Sequence, residues 1–214
     1  MFITPGPFSF FRTQIVRSMG GWKHGYSTED LEMAMRLQDA RYLIANAPAA
    51  TVYTGTPRTL KALFRQRVRW TYGFLRNAVE YRHMFGNGKY GNLGIIVLPT
   101  ALISIGIAIF FFLRIVYNII RESSHLLARA EILGFSFNPS FDLFYVNTSA
   151  IWILIFFSVG IVVWLISFGS GLGTGSRRLP LGTPLFVVFY AFLVPLWLIA
   201  AVVRAAFKTG VKWR

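Results

Sequence analysis

Three stretches of this sequence contain no charged residue: Leu93–Leu113, Ala150–Phe168 and Leu185–Val203. At a rise of about 1.5 Å per residue, each is about long enough, as a helix, to cross a hydrocarbon core of roughly 30 Å. The rest of the chain fits a membrane setting. Of 214 residues, 55% are hydrophobic and 14% charged, and the mean hydropathy of +0.53 is too high for a domain whose surface must face water. The first 92 residues lack the basic start, short apolar core and small-residue cleavage site of a secretory signal. An internal helix can nevertheless direct insertion. The expected class is a mainly α membrane protein with about three transmembrane helices.

Charge is distributed unevenly around these spans. The net charge is +14, and 13 of the 22 Lys and Arg precede Leu93, against five acidic residues. That bias predicts a cytoplasmic position for residues 1–92 and a multi-pass protein of the plasma membrane. Because the basic residues adjoin membrane helices, anionic lipid or a diphosphate is the expected partner, and no nucleic acid. The absence of cysteine excludes a disulfide framework, a thiolate metal site and a cysteine nucleophile. His24, His83 and His125 stand at no metal-ligand spacing and read as solvated or interfacial residues.

Three regions follow. Residues 1–57 are irregular and too few to bury a core of their own, as at the end of a larger domain. Ser27, with Asp30 three residues later, resembles a capping box opening a helix from Glu29 to about Leu43. Thr51–Thr54 reads as a short β segment, closed by Gly55 and Pro57. Residues 58–92 hold a longer helix, Arg58 to about Phe85. Spacing side chains by about 100° places Leu60, Leu63, Phe64, Val68, Phe74, Leu75, Ala78 and Val79 on one arc, with Arg58, Arg65, Arg69 and Arg76 opposite. Such a helix suits the membrane interface, arginines toward headgroups or a cytosolic domain; ordinary packing against a core is the alternative. Gly73 is expected to break or kink it. Residues 93–214 form the membrane region.

Motifs in a fixed order carry the chemistry. Pro5-Gly6-Pro7-Phe8-Ser9-Phe10-Phe11-Arg12 leads to Gly20-Gly21-Trp22, then Thr28-Glu29-Asp30, then Gln66-Arg67-Val68-Arg69-Trp70. On a helix Gln66, Arg69 and Trp70 share one edge, offering an amide, a planar cationic fork and a flat apolar face. Alone, Trp70 could be an interfacial anchor and Arg69 a headgroup contact. Alone, Asp30 could be a helix-start acid favoured by the dipole.

In this order the set resembles the membrane-embedded family 2 glycosyltransferases that make cellulose, chitin, hyaluronan and poly-N-acetylglucosamine, over roughly residues 3–95 by motif and beyond that by helix count. The resemblance implies an inverting transferase that moves a sugar from a nucleotide-sugar donor, expected to be UDP-linked, to a growing polysaccharide. It implies that residues 1–57 end a GT-A (α/β) catalytic domain. Asp30 takes the role of catalytic base. Thr28, Glu29, Gln66, Arg69, Trp70 and Gly6 line the acceptor and diphosphate site, and Gly6 leaves its backbone free to approach a sugar closely.

The family's uridine-binding aspartates and D-x-D metal motif precede the T-E-D motif, whereas here no Asp or Glu precedes Glu29. These residues are therefore expected to hold no metal. Mg or Mn is expected for the intact enzyme, held by an N-terminal catalytic half outside this chain, and the chain alone is expected to be inactive. No match to the cellulose synthase gating loop is present, which weighs against cellulose. Single-sugar transfer to a lipid-linked acceptor and a non-catalytic membrane module assisting a partner synthase are the alternatives; a small transporter would need ionisable or unwound positions that these spans lack.

Three crossings from an inside start would place Arg204, Lys208, Lys212 and Arg214 outside, against the charge rule. A partial hairpin or a hidden crossing within Ala128–Thr148, around Asn138-Pro139, would resolve the conflict. Arg114 can snorkel to the interface. Trp152, Trp164 and Trp197 could line a polymer channel, or face lipid and neighbouring helices. Reporter fusions at Arg58 and Asn87 are expected to read cytosolic; an external signal from both would reverse the topology.

Overall fold

A computed structural model describes residues 6–47, 50, 52–133, 150–174, 179 and 182–209. The chain divides into two compact units, Met1–Leu113 with Leu193–Arg214, and Arg114–Phe192. The protein is mainly helical, and no strand occurs among the described residues. Val52–Thr54 is irregular and exposed, because a β segment with no neighbouring strand leaves its backbone unpaired.

In the first unit, helix α1 (Thr13–Ser18) ends in a Schellman closure. Gly20 takes a left-handed φ of +82°, and the Gly21 N–H donates to the Val16 carbonyl at 2.9 Å. Helix α2 spans Glu29–Asp39, four residues shorter than expected. Arg41, at φ +65°, occupies the same left-handed position, and the N–H groups of Arg41 and Tyr42 donate to the Gln38 and Leu37 carbonyls at 3.1 and 2.8 Å. An arginine supplies the turn that sequence rules reserve for glycine, so the stop is invisible in composition.

Every residue from Leu31 to Leu37 is buried, so α2 is enclosed on all sides and its polar members must satisfy one another. Glu32 pairs with Arg36 at 2.9 Å and accepts a hydrogen bond from the Tyr81 hydroxyl at 2.8 Å. Arg36 Nη1 donates to the carbonyls of Met19 and Gly21 at 3.1 and 2.8 Å, the groups exposed where α1 closes. Burial, then the Glu32 hydrogen bond, pushes the Tyr81 phenol well above its usual range.

Helix α3 (Leu60–Glu80) starts at Thr59, whose hydroxyl accepts from the Ala62 N–H at 3.2 Å. It runs unbroken through Gly73, contrary to the expected break. The expected apolar arc is divided: Val68 and Ala78 are buried together with Tyr72, Gly73 and Asn77, whereas Leu60 and Val79 are 70% and 62% exposed. A residue without a Cβ and one with a hydrogen-bonding amide decide where α2 lies on α3.

Leu31, Met35, Tyr81, Met84 and Leu98 form one core cluster. Leu98 opens helix α4 (Leu98–Leu133), preceded by a π-type turn over Leu93–Val97. Gly94 is held there: the Gly86 N–H donates to its carbonyl at 2.9 Å, and an added Cβ would lie 2.6 Å from the Met84 carbonyl oxygen. Nearby, Asp39 Oδ1 accepts from the Tyr90 hydroxyl at 2.7 Å and meets His83 Nε2 at 2.9 Å, so His83 is not simply solvated. Arg41 bonds the Lys89 carbonyl and lies over the Tyr90 ring. Burial raises the Asp39 carboxyl, but the His83 and Tyr90 hydrogen bonds and the charges of His83 and Arg41 outweigh it, leaving it below its usual value.

Among the described residues, three helices are long and apolar enough to cross a membrane, over Leu93–Ala128, Ile153–Gly171 and Phe189–Ala206. The expected spans therefore lie on helices, with α5 at Ala150–Thr174 and α6 at Thr183–Ala206. Phe156, Phe157 and Trp164 of α5 are 72%, 68% and 61% exposed, and a helix apolar all round its surface is solvated by lipid. Trp164 stacks on Phe168 at 5.5 Å, and Trp197 is buried at 4% exposure. The suggested hairpin falls on residues 134–149, outside the described set, as do Lys212, Arg214 and the Trp152 side chain; Ala128–Leu133 is helical.

Removing Glu32 strands a buried guanidinium, so Glu32→Ala is expected to cost about 3–5 kcal/mol, and Glu32→Leu with Arg36→Met to recover much of it; thermal unfolding in detergent measures both. For Asp39 the sign follows from its depressed pKa: its contribution is present above the ordinary carboxylate value and lost as pH falls through the folded one. Asp39→Asn is expected to be less stable than wild type at pH 7, with the gap closing below about pH 4.

Candidate functional site

The segment Gly25–Ser27 sets up the start of α2. Tyr26 and Ser27 both take left-handed φ values, +52° and +69°, a costly pairing for non-glycine residues. A Cβ on Gly25 would stand 2.7 Å from Glu29 Cα, so the curl closes tightly on the helix. The N-cap residue is Thr28, and no side chain caps it. The expected Ser27–Asp30 capping box is thus not formed: Ser27 is turned away by its φ, and Thr28 is engaged elsewhere. Its hydroxyl donates to the Gly25 carbonyl at 3.0 Å and accepts from Asn77 Nδ2 at 3.2 Å.

Asp30 is half-buried. Its Oδ1 accepts from the Leu31 N–H at 2.8 Å, one of the donors a helix start leaves free. Its Oδ2 faces Gly6, where an added Cβ would lie 3.2 Å away. The missing Cβ of Gly6 therefore makes room first for the Asp30 carboxylate. Glu29, the middle residue of the motif, is exposed.

Gln66 and Arg69 are half-buried on α3, and Trp70 is 44% exposed with the Arg67 guanidinium 4.7 Å over its ring. On the α3 helix Gln66, Arg69, Trp70, Gly73 and Asn77 form one stripe. Gly73 meets α2: a Cβ there would come within 2.8 Å of Thr28 Cβ and closer still to its hydroxyl. Arg69 and Trp70 lie about one turn, roughly 5 Å, before that contact. Thr28 and Asp30 of the first motif and the three polar or aromatic residues of the second are thereby linked through one helix crossing. Of the four arginines expected on one face, Arg58 and Arg65 are exposed, while Arg76 stacks on Tyr26 at 4.9 Å.

An open cleft of about 990 Å³ begins at Pro7, next to Gly6, between residues 7–16 and 41–54. Phe8, Phe11 and Arg12 line one side, Arg41, Tyr42 and Leu43 the other. Among the described residues no three His, Asp or Glu side chains converge as metal ligands, and these residues do not fit a divalent cation.

A family model described as glycosyl transferase family group 2 matches residues 1–204. The chain belongs to that family. It is 27% identical over 144 residues to a poly-β-1,6-N-acetyl-D-glucosamine synthase of Staphylococcus epidermidis, covering 67% of this chain and 33% of that protein. It is 36% identical over 69 residues to the probable glycosyltransferase YdaM of Bacillus subtilis, and 35% over 68 residues to the synthase of Staphylococcus aureus strain COL; each covers 32% of this chain and 16% of the relative. The chain thus spans a third or less of the length of these curated relatives. No solved structure was matched.

The site residues that sequence reasoning missed are Gly25, Gly73 and Asn77 as packing partners of Thr28, and the Glu32–Arg36–Tyr81 network behind them. The i, i+4 spacing of Glu32 and Arg36 was a visible signal. Tyr81, 49 residues from Glu32, gave none.

Proposed function

We propose that these residues form the acceptor side of an inverting glycosyltransferase that extends a polysaccharide at the membrane. The observation that carries this reading is the crossing at Gly73, which joins the start of α2 to the stripe bearing Gln66, Arg69 and Trp70. In the proposed step an acceptor hydroxyl attacks the anomeric carbon of a nucleotide sugar. The new C–O bond forms as the bond to the diphosphate breaks, the diphosphate leaves with the electron pair, and the hydroxyl proton passes to the Asp30 carboxylate.

Arg69 supplies a fork to the departing diphosphate and Trp70 a flat face to the acceptor sugar. None of Thr28, Asp30, Gln66, Arg69 or Trp70 lines the cleft at residues 7–16 and 41–54; the acceptor path in this reading runs past Gly6, which faces Asp30 Oδ2. The synthases among the relatives favour a polymer over a single transfer and an N-acetylhexosamine as the sugar; that it is carried on UDP is what the family resemblance implies. Residues 1–92 lie on the cytosolic side in this reading, where nucleotide sugars are available, and donor and cation ligands come from the remainder of a family 2 catalytic domain.

In a polypeptide carrying these residues with the whole catalytic domain, Asp30→Asn is expected to lower transfer by about 10³-fold while donor binding persists. Trp70→Ala is expected to weaken acceptor engagement, and Arg69→Lys to lower kcat/KM because an ammonium cannot form two parallel bonds to a diphosphate. Sugar incorporation at matched folded amounts is the measurement. Wild-type incorporation by Asp30→Asn would remove the base assignment.

A further inference from the structure

Asn77 is fully buried, two helical turns after Trp70, and no motif includes it. Both protons of its amide are used: Nδ2 donates to Thr28 Oγ1 at 3.2 Å and to the Gly73 carbonyl at 2.9 Å. Thr28 Oγ1 in turn donates to the Gly25 carbonyl at 3.0 Å. The bonds therefore run in one direction, from α3 through Thr28 into the curl that precedes α2. Asn77 Oδ1 is buried and has no hydrogen-bond partner among the described residues.

Stability alone does not account for this residue. A buried carbonyl oxygen left unsatisfied costs on the order of 1–3 kcal/mol, and an apolar side chain in its place would avoid that cost. The amide supplies what an apolar residue lacks, a bond with a direction, which fixes how far α2 slides or turns on α3. The contact beneath it is equally demanding, because Gly73 leaves no space for a methyl group against Thr28. Two residues beyond Thr28 stands Asp30; one turn before Gly73 stand Arg69 and Trp70.

We propose that Asn77, acting through Thr28 over Gly73, is a positioning residue that sets the distance and angle between the Asp30 carboxylate and the Arg69–Trp70 edge of α3. The inference rests on the functional reading above. A base displaced by about 1 Å from its proton can cost about 100-fold in rate while leaving the substrate bound. Loosening this joint therefore acts on kcat rather than on donor KM.

The test uses the full-length enzyme with Asn77→Ala, Thr28→Val and the double variant, measuring kcat, donor KM and thermal unfolding. Each single change is expected to lower kcat by about 10–100-fold with donor KM within about twofold. The double variant is expected to lose much less than the product of the two single losses, since the Asn77–Thr28 bond is already absent from either one. Gly73→Ala, which keeps every hydrogen-bonding group, is expected to lower kcat at least as much. A merely structural role predicts lower unfolding temperatures with wild-type kcat per folded molecule, and that result overturns the proposal. So do losses in the two single variants that multiply in the double, or a change confined to donor KM. Should Asn77→Ala not fold, Thr28→Val and Gly73→Ala decide by the same kcat criterion. Asp30→Asn, measured alongside, separates the two readings: if it transfers sugar at the wild-type rate the base assignment fails, whereas a loss there with wild-type kcat in the joint variants defeats only the positioning role.

Discussion

Thr28 rests on α3 because position 73 carries no side chain, and the distance this allows between two helices governs how the site can be built. Close approach brings the Thr28 hydroxyl within reach of the Asn77 amide at 3.2 Å. It also buries Tyr72, Gly73 and Asn77 beside Val68 and Ala78 of the apolar arc. A glycine inside a helix costs up to about 1 kcal/mol against alanine; here that cost is offset by a contact no other residue permits. The result is a polar helix crossing, specified by direction as well as by burial.

Behind the crossing lies a second layer with different physics. Helix α2 is enclosed along seven successive residues, two of them charged. Glu32 and Arg36 remain there because Tyr81 and the two carbonyls at the end of α1 take up their carboxylate and terminal guanidinium groups. A buried pair of this kind adds little net stability over an apolar substitute, but leaves few alternative arrangements that satisfy every group. The left-handed turns at Gly20 and Arg41 serve the same arrangement. One presents carbonyls to Arg36, and the other ends α2 so that Asp39 meets His83 and Tyr90.

How much of this could be read from sequence varied with the range of the interaction. The apolar spans were legible because twenty successive uncharged residues constrain a chain irrespective of its neighbours. The T-E-D and Q-x-x-R-W patterns and the start of α2 were legible for a similar reason, being local. What failed depended on partners far along the chain. Gly73 reads as a breaker until Thr28 is known to lie against it, and Ser27 reads as a cap until its left-handed φ is seen. The expected β segment failed over residues 52–54 because β propensity expresses itself only beside another strand. The distant bonds from Asn77 to Thr28 and from Tyr81 to Glu32 left no periodic trace at all.

Leu98, the first residue of α4, is fully buried in the same cluster as Leu31 and Met35 of α2. The first long apolar helix is therefore seated in the core that holds the T-E-D helix, with Gly94 fixing its entry against the Met84 carbonyl. The uncharged stretch Leu93–Leu113, about the length that one crossing requires, begins at that core. The start of the first span and the helix that carries Asp30 thus share one set of packed side chains, so a substitution at Leu98 disturbs both at once.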